Sequence, residues 1–387
     1  MTYIYIIRHA EAEGNLYRRV HGHYNSLITP RGKEQIRRLQ ERFRDIAIDA
    51  VYSSDLHRAR ETASAIYAPK GLPLIPVKGL REVAMGVWED VPWGHVEYTE
   101  PDQLYAFNND PLRWKVEGAE PFDHLQRRLS GAIAQIAAEN RGRTVAVVTH
   151  GMALRAFAAR VMGIEPGEIA RVPHSDNTSV SLLKVGDGGE MEFEYYGDNA
   201  HIPEELSTFA RQKWWREATT FDSSNMRFEP LNLDTQMDLY LDWRRAAWSI
   251  ECGDKAPPLR AWEEGVRRNS RRHPWAVSVS YLGGEPVGVV ELDIERDQAE
   301  KAGVIEFIYV TPDVRKTGKG AQLLGQAVSV CRSLGREKLR MRVGCENALA
   351  QDWCLSSGFC PVRFEDDQTR RVFEMDIAVP GDGHDTV

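Results

Sequence analysis

Short unbroken apolar runs that alternate with longer amphipathic ones are the strongest constraint on this fold. Over residues 1–202, "YIYII" (3–7), "AVYSS" (50–54) and "TVAVVTH" (144–150) read as strands. The stretches "TPRGKEQIRRLQERFRD", "RARETASAIYA" and "MALRAFAARVMG" read as helices. A strand without polar alternation is buried on both faces, so helices must cover both sides of a mainly parallel sheet. Thr29 stands where an N-cap belongs, and Pro30 takes the first helical position, where a missing N–H costs nothing.

Between Pro203 and Asn225 the texture turns polar, with Trp214 and Trp215 embedded, and reads as a helical segment followed by a linker. Beyond it "MRFEPL" opens a strand, followed by two helices and the strands "WAVSVSYL", "PVGVVELDI" and "GVIEFIYV". A helix at "GAQLLGQAVSVCRSLG", the strand "KLRMRVG", a further helix and two closing strands complete the pattern. Turns as short as "LGGEP" require antiparallel neighbours, so this half is mixed α+β. The expected organisation is one domain over 1–205, a helical segment and linker over 206–225, and a second domain over 226–380. The final "PGDGHDTV" is expected to be a disordered tail.

A length of 387 residues is enough for two or three cores. The formal charge of −8 does not favour a nucleic-acid backbone, and Arg267, Arg268, Arg271 and Arg272 read as a solvated helix face. Five cysteines without a C-x-x-C pair read as reduced thiols, not as a disulfide framework or zinc site. The first apolar run is too short for a signal peptide or a membrane span, so the expectation is a soluble cytoplasmic protein.

In parallel α/β sheets, ligands sit at the carboxyl ends of the strands. Arg8 and His9 follow the first strand, Arg58 follows "AVYSS", and His150 ends "TVAVVTH". If those strands are parallel neighbours, two guanidinium groups and two imidazoles meet at one spot, a set suited to a phosphate. A neutral imidazole nitrogen there can attack phosphorus and split one displacement into two, and no metal is required. The leaving oxygen then needs a proton, and Glu82 in "LREVAMGVWED" is the candidate donor.

The segments Arg8-His9-Ala10-Glu11, Asn15, "YSSDLHRARETA", "LREVAMGVWE" and "VVTHGMALRA" together resemble the histidine phosphatase (phosphoglycerate-mutase-like) superfamily over residues 1–202. The resemblance implies a three-layer α/β/α domain with His9 as nucleophile and Glu82 as proton donor. It implies a phosphate pocket of Arg8, Arg58 and His150, with Asn15 and Gly151 lining it. Ala10 stands where the family usually has glycine. Met152 stands where it often has a second one, and the backbone N–H of that position is expected to face phosphate. The stretch beginning "VPWGHVEYTE" corresponds to the family's substrate lid, and its shortness favours phosphomonoester hydrolysis over a mutase. Its aromatic residues (Trp88, Trp93, Tyr98, Tyr105, Phe107, Trp114) either greet an apolar or planar leaving group or pack the lid onto the body.

In the second half, "RKTGKGA" follows an apolar strand and opens a helix. Glycines there let backbone N–H groups approach an anion at a helix N-terminus. With the strand "KLRMRVG" and "ENALAQDWCLSSGF" after it, the arrangement resembles the GNAT acetyltransferase superfamily over about residues 226–378. The resemblance implies acetyl-CoA as cofactor. Arg315, Lys316, Thr317, Gly318, Lys319 and Gly320 would cradle its pyrophosphate, Ile308 and Val310 would present backbone to the pantetheine arm, and Asn347, Gly358 and Phe359 match the second cofactor motif. Glu306 is either the general base or a plain strand glutamate facing solvent. Cys354 stands where the family usually has a tyrosine, and it either protonates the departing thiolate or is a buried small residue. The combined expectation is a bifunctional enzyme acting on a small phosphate ester and a small amine. The alternatives are a phosphatase with an acetyl-CoA-sensing domain and an N-terminal phosphomutase.

Overall fold

A computed structural model describes residues 1–211, 224–366 and 368–380. The chain divides into two compact units, each built on one sheet. Trp214, Trp215 and the tail over 381–387 lie outside the described residues. No helix among the described residues is long and apolar enough to cross a membrane.

The first unit contains β1 (Thr2–Arg8), β2 (Ala50–Ser53), β3 (Leu74–Pro76), β4 (Thr144–Thr149), β5 (Val180–Val185) and β6 (Met191–Asp198). Its helices are α1 (Glu13–Tyr17), α2 (Pro30–Phe43), α3 (His57–Lys70), α4 (Trp93–Thr99, from Val96 onward), α5 (Pro101–Asn109), α6 (Phe122–Glu139), α7 (Gly151–Val161) and α8 (Thr208–Arg211). The strand order is β3-β2-β4-β1-β5-β6. The first four strands are parallel, while β5 and β6 run antiparallel at one edge, a pair the apolar runs do not single out. Ile7, Val51, Ala146 and Val148 pack with Leu39 and Phe43 of α2 and Ala63 and Ile66 of α3. The alternate strand residues Ile4, Ile6, Val145 and Val147 are equally buried, so both faces of the sheet are covered. Each such side chain stabilises the fold by about 2 kcal/mol. Thr29 caps α2, its hydroxyl accepting the Gly32 N–H at 3.0 Å.

The second unit contains β7 (Arg227–Pro230), α9 (Met237–Cys252), α10 (Leu259–Arg272), β8 (Val277–Leu282), β9 (Glu285–Asp293), β10 (Ala302–Val310), α11 (Lys319–Ser333), β11 (Lys338–Gly344), α12 (Ala348–Ser356), β12 (Cys360–Glu365) and β13 (Arg370–Asp376). The strand order is β12-β13-β11-β10-β9-β8-β7. All neighbours are antiparallel except β10 and β11. The β8–β9 turn is made by Gly283 and Gly284, both at positive φ, as a tight hairpin requires. The parallel pairing of β10 with β11 stops at Ile305↔Met341, although β10 runs on to Val310. The two strands therefore part beyond Ile305, and the β10 register against β9 slips between Ile305 and Phe307, a bulge at Glu306.

Candidate active sites

Register explains why the first four candidates meet. Arg8 lies opposite Thr149 across the parallel β1–β4 pair, and Ser53 lies opposite Val148 across β2–β4. Three carboxyl ends thus share one edge. Arg8 and His9 leave it from β1, His150 leaves it from β4, and Arg58 stands in the first turn of α3 after β2. The His9 and His150 ring centroids are 5.2 Å apart.

His9 is 2% exposed, and its Nδ1 lies 2.7 Å from the Ala10 carbonyl oxygen. A carbonyl only accepts, so Nδ1 carries the proton and the neutral ring keeps its lone pair on Nε2. Burial, then Arg58 and Arg8, hold the His9 pKa well below its ordinary value. His150 is fully buried, and among the described residues neither of its ring nitrogens has a partner. The same holds for Nε of Arg8 and Nε of Arg58. Three buried N–H donors and one lone pair lie together here, and each costs about 1–3 kcal/mol unless a ligand or water meets it.

The rest of Arg58 is held by backbone. Its guanidinium donates to the carbonyls of Tyr24 at 3.1 Å, His21 at 3.3 Å and Gly22 at 2.7 Å. Burial pulls its pKa down to about 10. That carbonyl loop is folded around Glu89, whose carboxylate accepts the N–H groups of Gly22, His23, Tyr24 and Met85 at 2.7–3.1 Å. Next to it Asp90 has φ +60°, the left-handed conformation that glycine adopts most easily, and it is anchored by an ion pair with Arg19 at 2.7 Å.

Glu82 sits at the start of α7, where its carboxylate oxygens accept the N–H of Met152 at 3.0 Å and of Ala153 at 2.8 Å. This corrects one expectation: the Met152 N–H faces Glu82, not phosphate, so its side chain matters little there. A Cβ on Gly151 would lie 3.3 Å from Arg8 Nε, close enough that the guanidinium would have to shift slightly. Ala10 is not in the left-handed region, so the absence of glycine there carries no strain. Its N–H donates to Thr62 of α3 at 2.9 Å. Asn15 uses its side-chain oxygen locally, accepting the Ala12 N–H at 3.1 Å at the start of α1.

Sequence reading missed His21, whose ring stands edge-on to His9 at 5.7 Å. It also missed the loop over 175–178, which threads around the end of β1. Ser175 O accepts from Arg8 at 2.5 Å, Asn177 Nδ2 donates to the His9 carbonyl at 2.8 Å, and the Thr178 N–H donates to the Arg8 carbonyl at 3.0 Å. Thr178 has φ +59°, an uncommon conformation for a β-branched residue. Of the aromatic residues in the lid, Trp88, Phe107 and Trp114 form one cluster with centroids 5.0–6.4 Å apart, and both tryptophans are buried. For these three, packing is the alternative the structure supports. Tyr98 and Tyr105 are exposed.

In the second unit the cradle residues form one continuous turn. Lys316 has φ +63° and Gly318 φ +85°, and Gly318 caps α11. Among the described residues no acceptor takes the backbone N–H of Lys316, Thr317 or Gly318. These amides at a helix N-terminus fit a pyrophosphate. Gly320 gives room, because a Cβ on it would lie 3.0 Å from Trp353 Nε1. Lys319 is buried. Arg315 is turned back onto its own strand, where Nε donates to the Val310 carbonyl at 3.0 Å and the guanidinium lies 5.3 Å from the Tyr309 ring centroid. That contact occupies the Val310 carbonyl, while Ile308 lies on the part of β10 that no longer pairs with β11. Asn347 caps α12, accepting the Ala350 N–H at 3.1 Å. Gly358 has φ +95°, and Phe359 is buried.

Glu306 lies at the β10 bulge, exposed, with Arg296 3.6 Å away. Desolvation raises its pKa, and Arg244 opposes that shift. Cys354 is fully buried with Sγ 3.8 Å from Met341 Sδ, and burial pushes its thiol up to about 12. A thiol so placed holds its proton tightly, and the buried-residue alternative is the one this environment supports.

With both geometries in place, the chain belongs to the histidine phosphatase superfamily (branch 1), whose family model matches residues 4–199. Residues 234–359 match the family model for the acetyltransferase (GNAT) family, so the two domain types are joined in one chain. Phosphoglycerate mutase-like protein 4 of Arabidopsis thaliana is 30% identical over 204 residues, covering 52% of this chain and 87% of that protein. The probable phosphoglycerate mutase GpmB of Salmonella choleraesuis (strain SC-B67) is 29% identical over 206 residues, covering 52% of this chain and 95% of that protein. The solved structure of Bacillus stearothermophilus YhfR is 30% identical with a TM-score of 0.51, covering 52% of this chain and all of YhfR.

Proposed function

We propose that the N-terminal domain hydrolyses phosphomonoesters through a phosphohistidine at His9. The observation that carries this reading is the His9 tautomer beside four open nitrogens: Nδ1 is tied to the Ala10 carbonyl, which leaves Nε2 to attack. The Nε2 lone pair forms a bond to phosphorus as the ester P–O bond breaks. The leaving oxygen takes a proton from the Glu82 carboxyl group. Arg8, Arg58 and His150 hold the phosphoryl oxygens as charge redistributes. Water then gives a proton to the Glu82 carboxylate and attacks phosphorus. The P–N bond breaks, inorganic phosphate leaves, and His9 and Glu82 return to their starting states. A phosphomutase is the second reading, favoured by the names of the two curated relatives. A panel of phosphomonoesters that includes 3-phosphoglycerate separates the two. Hydrolysis releases inorganic phosphate, and a mutase returns an isomeric ester instead.

For the C-terminal domain we propose acetyl transfer from acetyl-CoA to a small amine. Acetyl-CoA supplies an activated acyl thioester when bound. The amides of Lys316 to Gly318 would hold its pyrophosphate, and the parted β10 and β11 would take its arm. Glu306 would accept the ammonium proton, a task that its raised pKa suits. The buried Cys354 would not supply a proton to a departing thiolate. An acetyl-CoA-sensing domain without turnover is the second reading, favoured by that missing donor. Release of free thiol with an amine panel distinguishes turnover from binding alone. Fusion of the two domains points to substrates that share a scaffold carrying both a phosphate and an amine.

A further inference from the structure

The chain beyond the last strand of the first unit does not simply leave the domain. Residues Leu206 to Phe209 are held down by two buried side chains near the phosphate site. Asp176, 3% exposed, accepts Ser207 Oγ at 2.5 Å and the Phe209 N–H at 3.3 Å. Gln35, fully buried, donates to the Leu206 carbonyl at 2.8 Å and to Thr208 Oγ1 at 3.2 Å, while its own oxygen accepts the Glu11 N–H at 2.7 Å. Both anchors are tied to the site. Glu11 is two residues from His9, and Asp176 lies between Ser175, which holds Arg8, and Asn177, which holds His9. The result is that the Phe209 ring, 8% exposed, lies against the Arg8 guanidinium, 5.7 Å from centroid to Cζ.

We infer that Phe209 is a positioning residue for the phosphate site, holding the Arg8 fork through its ring face. Three facts make the ring matter. One Arg8 nitrogen donates to the Ser175 carbonyl, whereas Nε is buried with no partner among the described residues. Among the described residues the Ser175 contact is the guanidinium's one hydrogen bond; a fork held in this way can swing about it, and a flat ring against its face removes that freedom. The ring also excludes water from one side of the cation, which strengthens its pull on an anion. The inference rests on the phosphate reading of Arg8.

The probe is orthovanadate, measured as a competitive inhibitor of aryl phosphate hydrolysis by the full chain and, independently, by direct titration. Phe209→Leu keeps volume and loses the ring, and we expect its orthovanadate dissociation constant to rise about tenfold. We expect KM to rise in step with it, with kcat changing less. Phe209→Tyr restores the ring and should return binding to within about twofold of the parent. Ser207→Ala loosens the Asp176 anchor without touching the ring. It should weaken orthovanadate about threefold, and it stands in if the leucine variant fails to fold. Parent-like binding by Phe209→Leu, or equal weakening by leucine and tyrosine, overturns the inference. Arg8→Ala separates the two levels. If it binds orthovanadate as the parent does, the phosphate reading of Arg8 falls and the inference with it. If it loses binding while Phe209→Leu does not, only the inference falls.

Discussion

The candidate anion site of the N-terminal domain is made of side chains, and that of the C-terminal domain is made of backbone. Around His9 the donors are Arg8, Arg58 and His150; backbone carbonyls hold the two guanidinium groups, and the Glu82 carboxylate caps the helix after His150. In the cradle the donors are amides that a left-handed turn exposes, and the nearest guanidinium, Arg315, is turned away. A side-chain site can gather ligand-holding and proton-transfer groups in one place: Glu82, the candidate proton donor, caps the helix that follows His150. A backbone cradle fixes only the cofactor, and the acid and base must come from elsewhere. There the second domain is thinner: Glu306 is exposed at a bulge and Cys354 is sealed in the core.

The largest loss is expected at Glu82. Replacing it with glutamine removes the proton and places an amide N–H₂ against a backbone N–H at the start of α7. Hydrolysis of an alkyl phosphate should fall about a thousandfold in kcat. A nitrophenyl phosphate, whose leaving group needs no proton, should fall far less. Equal losses on both esters would remove Glu82 from the donor role. On the cradle side, Gly320→Ala sets a Cβ 3.0 Å from Trp353 Nε1, and we expect KM for acetyl-CoA to rise about tenfold, measured by thiol release.

Acidity separates the domains without any substitution. His9, His21 and His150 are all held well below the ordinary imidazole pKa, first by burial and then by Arg58. Below about pH 6.5 the unfolded chain therefore binds more protons at these sites than the native state does. Stability contributed by the neutral rings is fully present above that pH and is lost as pH falls through it. Urea midpoints read from the N-terminal domain should drop between about pH 7 and about pH 5, and a flat profile would contradict the buried neutral histidines. The smallest effect is expected at Cys354. Its replacement by alanine should leave the rate of acetyl transfer within about twofold, with a modest loss of stability. A hundredfold loss of kcat would return the thiol to the chemistry.

How legible the two sites were in the sequence follows the same division. The four cationic and imidazole residues could be placed because each follows a short apolar strand, and parallel strands end at one edge. Glu82 was legible as a residue type, but not as a helix cap, and so the Met152 N–H was misassigned. His21, Glu89 and the loop over 175–178 were invisible, since they act through turns that bring distant backbone together. Thr178 in a left-handed conformation has no sequence signal at all, because nothing in its local residues asks for it. In the second domain glycines flagged the cradle, whereas the direction in which Arg315 turns is set by Tyr309 and the Val310 carbonyl. Cys354 stayed ambiguous because sequence does not show how deeply a helix face is buried.

The decisive measurement is made on His9. Full-length chain mixed with a good phosphate ester and quenched during turnover should carry phosphate that is labile to acid and stable to base. Peptide mapping should place it on His9, at Nε2. Turnover with no such adduct, or an adduct on another residue that persists in His9→Ala, would contradict the account.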